Sequence, residues 1–339
     1  MKKHIYIAYT GGTIGMRPSS QGYIPAAGFL TQTLAKMPEF NRQEMPDFTI
    51  HEYDSLIDSS DMSPNDWQQI ADDIQQQYQE YDGFIILHGT DTMAYTASAL
   101  SFMLEDLSKP VIVTGSQIPL AELRSDGQIN LLNALYIAAY YPIAEVSLYF
   151  NNHLFRGNRS RKVDADGFDA FGSPNFPDLL RAGIEIELIA GQLVDDKNSL
   201  NDDLQLTVSQ ISSQPVGVVT LYPGISAEVI RNTLQQPVKA LVLLSYGVGN
   251  APQNPALLEQ LRLAEKNEIV VLNCTQCVSG KVNMSGYANG HALREAGVVS
   301  GNDMTPEAAL AKLHYLLSKD LPFKEVKRQL LNNLRGELS

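Results

Sequence analysis

Eight short apolar runs limit how this chain can fold more than any other feature. They are His4 to Tyr9, Phe48 to Tyr53, Gly83 to Leu87, Val111 to Val113, Val146 to Phe150, Val216 to Leu221, Ala240 to Ser245 and Ile269 to Asn273. Each has strand length and is β-branched or aromatic enough to read as a buried strand. Helix-period segments separate many of them, the pattern of βαβ units around a largely parallel sheet. The clearest helix opens at Ser63, with Pro64 at its first position, Asp66 poised for a capping-box return, and Trp67, Ile70, Ala71, Ile74 and Tyr78 on one stripe. Trp67 therefore reads as core and not as a ligand platform. A second start signal, Thr305-Pro306-Glu307, precedes Leu310, Leu313, His314 and Leu317 at helical spacing.

The rhythm breaks between Ala190 and Ser213, where DDKNSLNDD is polar and acidic. With 339 residues the chain has room for about two domains. The expected fold class is α/β: a larger N-terminal domain, residues 1–190, with a mostly parallel sheet flanked by helices, a linker over 191–213, and a smaller C-terminal α/β domain over 214–339.

Parallel α/β sheets bind ligands at the carboxyl ends of their strands, so the turns that follow the apolar runs are where function is sought. Four are polar or glycine-containing: TGGTIG at Thr10 to Gly15, HGTDTM at His88 to Met93, TGSQIP at Thr114 to Pro119, and YGVGN at Tyr246 to Asn250. TGGTIG lacks the dinucleotide spacing G-x-G-x-x-G, and no G-x-x-x-x-G-K-[ST] occurs in the chain. Phosphate cradling thus has no support. Gly11 and Gly12 instead allow close backbone approach to a ligand while presenting the Thr13 hydroxyl. A threonine nucleophile needs a neighbouring group to take its proton, and Tyr23 in SSQGYIP is a candidate for that transfer.

Thr90-Asp91 reads either as a helix cap or as a ligand site at a helix start. Its helix is expected to carry Leu100, Met103 and Leu104. Asp58-Ser59-Ser60 reads either as a second loop of small donors and acceptors or as a turn before the Ser63 helix. Lys162 lies in NRSRKVDADGFDAF. A solvated surface lysine is the ordinary reading, and a base held dry beside Arg159 and Arg161 is the alternative.

Composition removes other classes. Lys and Arg number 25 against 38 Asp and Glu, a net charge of -13, which repels nucleic acid backbones and anionic membranes alike. Hydrophobic residues at 44% and charged residues at 19% exclude a disordered chain. The two cysteines, Cys274 and Cys277, exclude a disulfide framework. Their C-T-Q-C spacing raises a redox or zinc role, but a second C-x-x-C is missing and no histidine stands at ligand spacing, so both read as reduced thiols. Nothing matches G-x-S-x-G, the six histidines are scattered, and metal-free chemistry is expected. The N-terminal apolar run is shorter than a signal-peptide core, and no stretch reaches the length of a membrane span. A soluble cytoplasmic protein is expected.

Taken together, the motifs resemble the bacterial L-asparaginase family. TGGTIG and HGTDTM look like its two active-site signatures, and the likeness continues through DSSDM, TGSQIPL, SDGQINLLNAL, ADGFDAF, YPGIS, SYGVGNAP and NLRGEL, nearly the whole chain. It is most similar to the cytoplasmic type I branch. The resemblance implies hydrolysis of L-asparagine to L-aspartate and ammonia without metal or organic cofactor. By motif it implies that Thr13 is the nucleophile of a β-aspartyl ester, that Tyr23 assists proton transfer, and that Thr90, Asp91 and Lys162 act together. It further implies that Asp58, Ser59, Ser60 and Asp91 hold the substrate's α-groups, with Ser116 and Asn250 at the periphery. A homotetramer built as a dimer of dimers is implied as well. Where relatives respond to asparagine at a second site, this chain departs from them: Arg161 stands before the lysine in place of a threonine, and Leu244 in place of an arginine, with Cys277 in the same altered region. Weak or absent asparagine cooperativity is therefore expected. The alternatives are a glutaminase-leaning amidohydrolase, a transamidation subunit, and a non-catalytic amino-acid sensor.

Overall fold

In the computed structural model, which describes residues 2–20, 22–26, 28–194, 205–286 and 288–339, the chain divides into two units, Met1–Ser209 and Gln210–Ser339. The division falls inside 191–213, of which residues 195–204, most of the acidic run, lie outside the described residues.

The first unit contains, in chain order, β1 (His4–Gly11), the hairpin β2 (Met16–Ser19) and β3 (Gly22–Pro25), α1 (Phe29–Lys36), β4 (Asp47–Ile57), α2 (Pro64–Gln77), β5 (Gly83–Leu87) and α3 (Met93–Met103). There follow β6 (Leu104–Glu105), β7 (Val111–Thr114), α4 (Gly127–Tyr140), β8 (Val146–Phe150), β9 (His153–Arg156), β10 (Arg161–Lys162), β11 (Phe171–Gly172), β12 (Leu180–Ala182), β13 (Ile186–Leu188) and β14 (Thr207–Val208). The main sheet has the order β13-β12-β9-β8-β7-β5-β1-β4. From β8 to β4 every pairing is parallel, and the last three strands on the other side are added antiparallel. Leu104 is not in α3, as the sequence suggested, but begins β6, which pairs with β14.

The order matters for function. After β1 the chain adds β4 on one side, then returns to add β5 on the other, so the direction of winding reverses between β1 and β5. At such a switch point the connections leave in opposite directions and open a crevice at the strands' carboxyl ends. The turns that leave β1 and β5 there are TGGTIG and HGTDTM.

Alternation along β1 feeds two layers. Ile5, Ile7 and Tyr9 join Ile85, Leu87, Leu131, Leu135 and Ala138 in one core that contains the buried face of α4. Helix α2 forms as its sequence requires. The Ser63 backbone N–H and hydroxyl both donate to Asp66 Oδ2, at 2.7 and 2.6 Å, and Trp67, Ile70, Ala71 and Ile74 are buried. Removing such a cap costs about 1 kcal/mol.

The second unit is built on four parallel strands in sequential order, β15 (Val216–Thr220), β16 (Ala240–Ser245), β17 (Val270–Thr275) and β18 (Val299–Ser300). Its helices are α5 (Ala227–Thr233), α6 (Pro255–Lys266), α7 (Ala288–Glu295), α8 (Pro306–Leu317) and α9 (Phe323–Leu331). Thr305 caps α8 through its side chain, accepting from the Ala308 N–H at 3.1 Å. A core of Leu241, Leu243, Leu257, Leu261, Val271 and Leu293 lies within this unit. Among the described residues no helix is long and apolar enough to cross a membrane.

Candidate active site

Glycine draws the turns of the first unit together. Gly12 has φ +90°, and a Cβ built on it would meet the Gly89 backbone nitrogen at 2.4 Å. A Cβ on Gly89 would in turn meet Ser59 Oγ at 2.4 Å. Only backbone without side chains fits this triple approach, so the turns after β1, β4 and β5 are held in van der Waals contact. Two hydroxyls pin the arrangement. Thr10 Oγ1 donates to the Leu87 carbonyl at 2.9 Å, tying the end of β1 to β5, and Tyr9 donates to the Gly12 carbonyl at 3.4 Å.

Lys162 reaches this crevice from β10. Its ammonium donates to Thr90 Oγ1 at 2.9 Å and to Asp91 Oδ1 at 2.8 Å. The lysine side chain is 21% exposed and the aspartate 64%, so one end of the ion pair is open to an arriving molecule. The ordinary surface-lysine reading therefore does not describe Lys162. Its neighbour Arg159 is buried at 2% exposure, against the ring of Phe176. Arg161 is half-buried, with its backbone paired to Gly172.

Thr90 is 8% exposed and has a second partner that sequence reasoning missed. Its hydroxyl donates to Gln117 Oε1 at 3.1 Å, and Gln117 Nε2 donates to the Gly167 carbonyl at 3.0 Å. The Gln117 and Ile118 backbone N–H groups are held by Asp126, which is 9% exposed and sits at the start of α4. The available signal was Gln117 itself, the one side-chain amide in TGSQIP and long enough to bridge two neighbouring loops. His88 was also missed. It is 1% exposed, and burial lowers its imidazole from the usual range to about 4, against the opposing pull of the Gly89 carbonyl and the Asp66 charge.

The other predicted residues are distributed as follows. Asp58 Oδ1 accepts from both the backbone N–H and the hydroxyl of Ser60 at 2.9 Å, which closes a 3-10 turn over Ser59–Asp61. These bonds hold the Asp58 carboxyl below its usual range. The turn and the donor loop are thus the same object. Ser59 is buried, and its carbonyl accepts from Thr92 Oγ1 at 2.7 Å. Ser116 is 1% exposed, and among the described residues its hydroxyl has no partner. Thr13 is half-buried in a 3-10 turn directly after Gly12. Tyr23 is 51% exposed on β3, opposite Pro18, and is not brought into hydrogen bonding with the group around Lys162.

In the second unit Asn250 closes the YGVGN turn, its backbone exchanging two 2.9 Å bonds with that of Tyr246. Leu244 is half-buried on β16, and Cys277 is an exposed thiol beyond β17. Cys274 is buried, which pushes its thiol up to about 12.

What this arrangement offers is a lysine shared by a hydroxyl and a carboxylate, beside a glycine-lined turn that presents a second hydroxyl. Comparison with known proteins places it. Residues 4–193 match the family model of the asparaginase N-terminal domain, and residues 215–330 match that of the glutaminase/asparaginase C-terminal domain. The chain belongs to the asparaginase family. It is 66% identical to L-asparaginase 1 of Escherichia coli strain K12, covering 100% of this chain and 98% of that one. It superimposes on L-asparaginase I from Vibrio cholerae with a TM-score of 0.93 at 64% identity, with full coverage of both chains. The thermostable L-asparaginase from Thermococcus kodakarensis follows with a TM-score of 0.87 at 31% identity, covering 99% of each chain. Family membership thus extends over both units.

Proposed function

We propose that this chain hydrolyses L-asparagine to L-aspartate and ammonia, with Thr13 as nucleophile. The observation that carries the reading is the shared ammonium of Lys162, bonded at once to Thr90 and Asp91 beside the turn that bears Thr13. Thr13 Oγ1 attacks the substrate's side-chain amide carbon. As the carbon–nitrogen bond breaks, the threonine's proton leaves with the ammonia, passed by way of the Tyr23 hydroxyl. Water then attacks the β-aspartyl ester, the ester carbon–oxygen bond breaks, and the proton returns to Thr13. Thr90 and Lys162 orient that water and move its proton.

Recognition follows from charge. The outward oxygen of Asp91 suits the substrate's ammonium, while the Ser59–Ser60 turn with Asp58 supplies short donors and acceptors for the remaining α-groups. The Ser116 hydroxyl, without a partner among the described residues, lends a further polar contact, and Asn250 is read as a peripheral one. No metal or cofactor enters any step of this reading. The chain is read as a cytoplasmic homotetramer, a dimer of dimers, with an effector region altered at Arg161, Leu244 and Cys277.

Ammonia release from L-asparagine tests both points in one assay. Thr13→Ala is expected to lose at least about a thousandfold in kcat with an unchanged circular dichroism spectrum. The unaltered chain is expected to give a hyperbolic rate curve. Ordinary turnover by Thr13→Ala sinks the nucleophile assignment, and a sigmoidal curve for the unaltered chain sinks the lost cooperativity.

A further inference from the structure

Three buried side chains outside the reacting group run in one line toward the Thr90–Asp91 turn. Trp67 Nε1 lies 3.0 Å from Thr96 Oγ1, Thr96 Oγ1 lies 2.8 Å from His88 Nε2, and His88 Nδ1 lies 2.7 Å from the Gly89 carbonyl oxygen. Trp67 is 5% exposed, Thr96 0% and His88 1%. Trp67 comes from α2, Thr96 from α3, and His88 from the first position after β5.

Burial keeps the His88 ring neutral, and for a neutral ring the two end groups fix every proton between them. An indole nitrogen only donates, so Thr96 Oγ1 must accept from Trp67. That leaves the single threonine hydrogen for His88, whose Nε2 must accept it. A carbonyl oxygen only accepts, so His88 Nδ1 must carry the ring's hydrogen. Of the two neutral tautomers, one satisfies all three contacts: the imidazole protonated at Nδ1. In the other neutral tautomer, lone pairs of Nδ1 and the Gly89 oxygen would face each other at 2.7 Å.

The carbonyl so captured belongs to the peptide that joins Gly89 to Thr90. That peptide is trans, so its N–H, contributed by Thr90, points opposite to the carbonyl. Drawing the Gly89 oxygen toward the buried ring therefore turns the Thr90 N–H outward, and among the described residues that N–H has no acceptor. We propose that Trp67, Thr96 and His88 form a tautomer lock whose task is to aim the Thr90 peptide and hold the Thr90–Asp91 turn in its reactive setting. They are positioning residues: none touches substrate, and each acts through the next. The proposal rests on the reading that Thr90, Asp91 and Lys162 carry amide hydrolysis.

Thr96 is the link to break. Thr96→Val keeps the shape and removes the hydroxyl, leaving His88 Nε2 without a donor and the ring held by the Gly89 carbonyl alone. Nitrogen-15 spectra of histidine-labelled protein read the tautomer directly, and ammonia release reads the consequence. In the unaltered chain the His88 signal is expected to report a protonated Nδ1 and a bare Nε2. In Thr96→Val the Nε2 signal is expected to move to that of a nitrogen without a hydrogen bond, with kcat down by about tenfold to a hundredfold and KM changed less than about threefold, because the ring is less firmly held and the turn is misaimed rather than dismantled. Thr96→Ser, which restores the hydroxyl, is expected to recover kcat to within about threefold.

If Thr96→Val fails to fold, two changes at His88 decide. Asn places an amide N–H where Nδ1 stood and keeps the Gly89 bond, whereas Gln places its amide near the former Nε2 and loses it. His88→Asn is therefore expected to retain more kcat than His88→Gln. The lock is overturned by a protonated Nε2 in the unaltered chain, by wild-type kcat in Thr96→Val, by no recovery in Thr96→Ser, or by the reverse order of the His88 variants. Thr90→Ala keeps the two ideas apart. Ordinary turnover in that variant sinks the catalytic reading, while an inactive Thr90→Ala beside a fully active Thr96→Val sinks the lock alone.

Discussion

At the scale of single residues, the crevice depends on atoms that are missing. Gly11 and Gly12 read from the sequence as places where backbone can approach a ligand, and in the structure Gly12 also meets protein backbone, that of Gly89 in a turn far along the chain. Spacing within TGGTIG cannot reveal a neighbour supplied by another strand, which is why the glycines were legible and their partner was not. Gly224 provides an internal control. It has φ +89°, almost the same as Gly12, yet nothing lies within 4 Å of a Cβ built there. Both positions resist alanine by about 1 to 3 kcal/mol for the positive φ alone. Only Gly12→Ala also drives a methyl into rigid backbone. Gly224→Ala is expected to lower the unfolding midpoint and keep kcat within about twofold, and Gly12→Ala to lose about a hundredfold in kcat. Equal activity in the two variants, measured by ammonia release, would show that the close approach of the turns is dispensable.

At the scale of elements, legibility followed local signals. Helix α2 carries its own cap, proline and stripe, and the sequence located its start at Ser63. Helix α4 has no such stripe, because it is buried on most sides, so periodicity could not find its bounds or the role of Asp126 before it. The pairing of β6 with β14 was equally hidden, since two-residue strands have no period to detect. Asp126 ties α4 to the turn that holds Thr90. Its carboxylate accepts from the Gln117 and Ile118 N–H groups and from Asn130 Nδ2, and Gln117 holds the Thr90 hydroxyl. Asp126→Ala would orphan two backbone donors in a nearly closed setting, at a cost of about 2 to 4 kcal/mol. Asp126→Asn keeps one acceptor and is expected to cost about half as much. Urea midpoints and kcat should fall together across this pair, since the same loop serves fold and chemistry. A variant that loses stability but keeps full kcat would show that Gln117 does not need its anchor.

At the scale of the whole molecule, each unit buries a histidine that must stay neutral, and this sets how the chain meets acid. His88 in the first unit is lowered to about 4 by burial, and His314 in the second is lowered by the same cause while its Nδ1 accepts from the Gln214 N–H at 3.1 Å. Both groups bind a proton more readily once the chain unfolds. Where the folded value is depressed, stability is intact above the ordinary histidine value near 6.5 and drains away as pH falls toward the folded value. For His88 the loss between pH 6.5 and 4 amounts to about 3 kcal/mol. Carboxylates held low by their hydrogen bonds, Asp58 and Asp164 among them, matter only further down, so the histidines dominate the first part of the decline. The chain has one tryptophan, Trp67, and it lies in the first unit beside Thr96, so its fluorescence follows the region that His88 stabilises. Its urea midpoint is expected to hold steady from pH 8 to 6.5 and fall continuously to pH 4.5. In His88→Asn, which has no titrating ring, the same plot should start lower and run flatter over that window. A midpoint in the unaltered chain that is level down to pH 4.5 would mean that His88 is charged in the fold, and the neutral imidazole bonded to Gly89 would have to be given up.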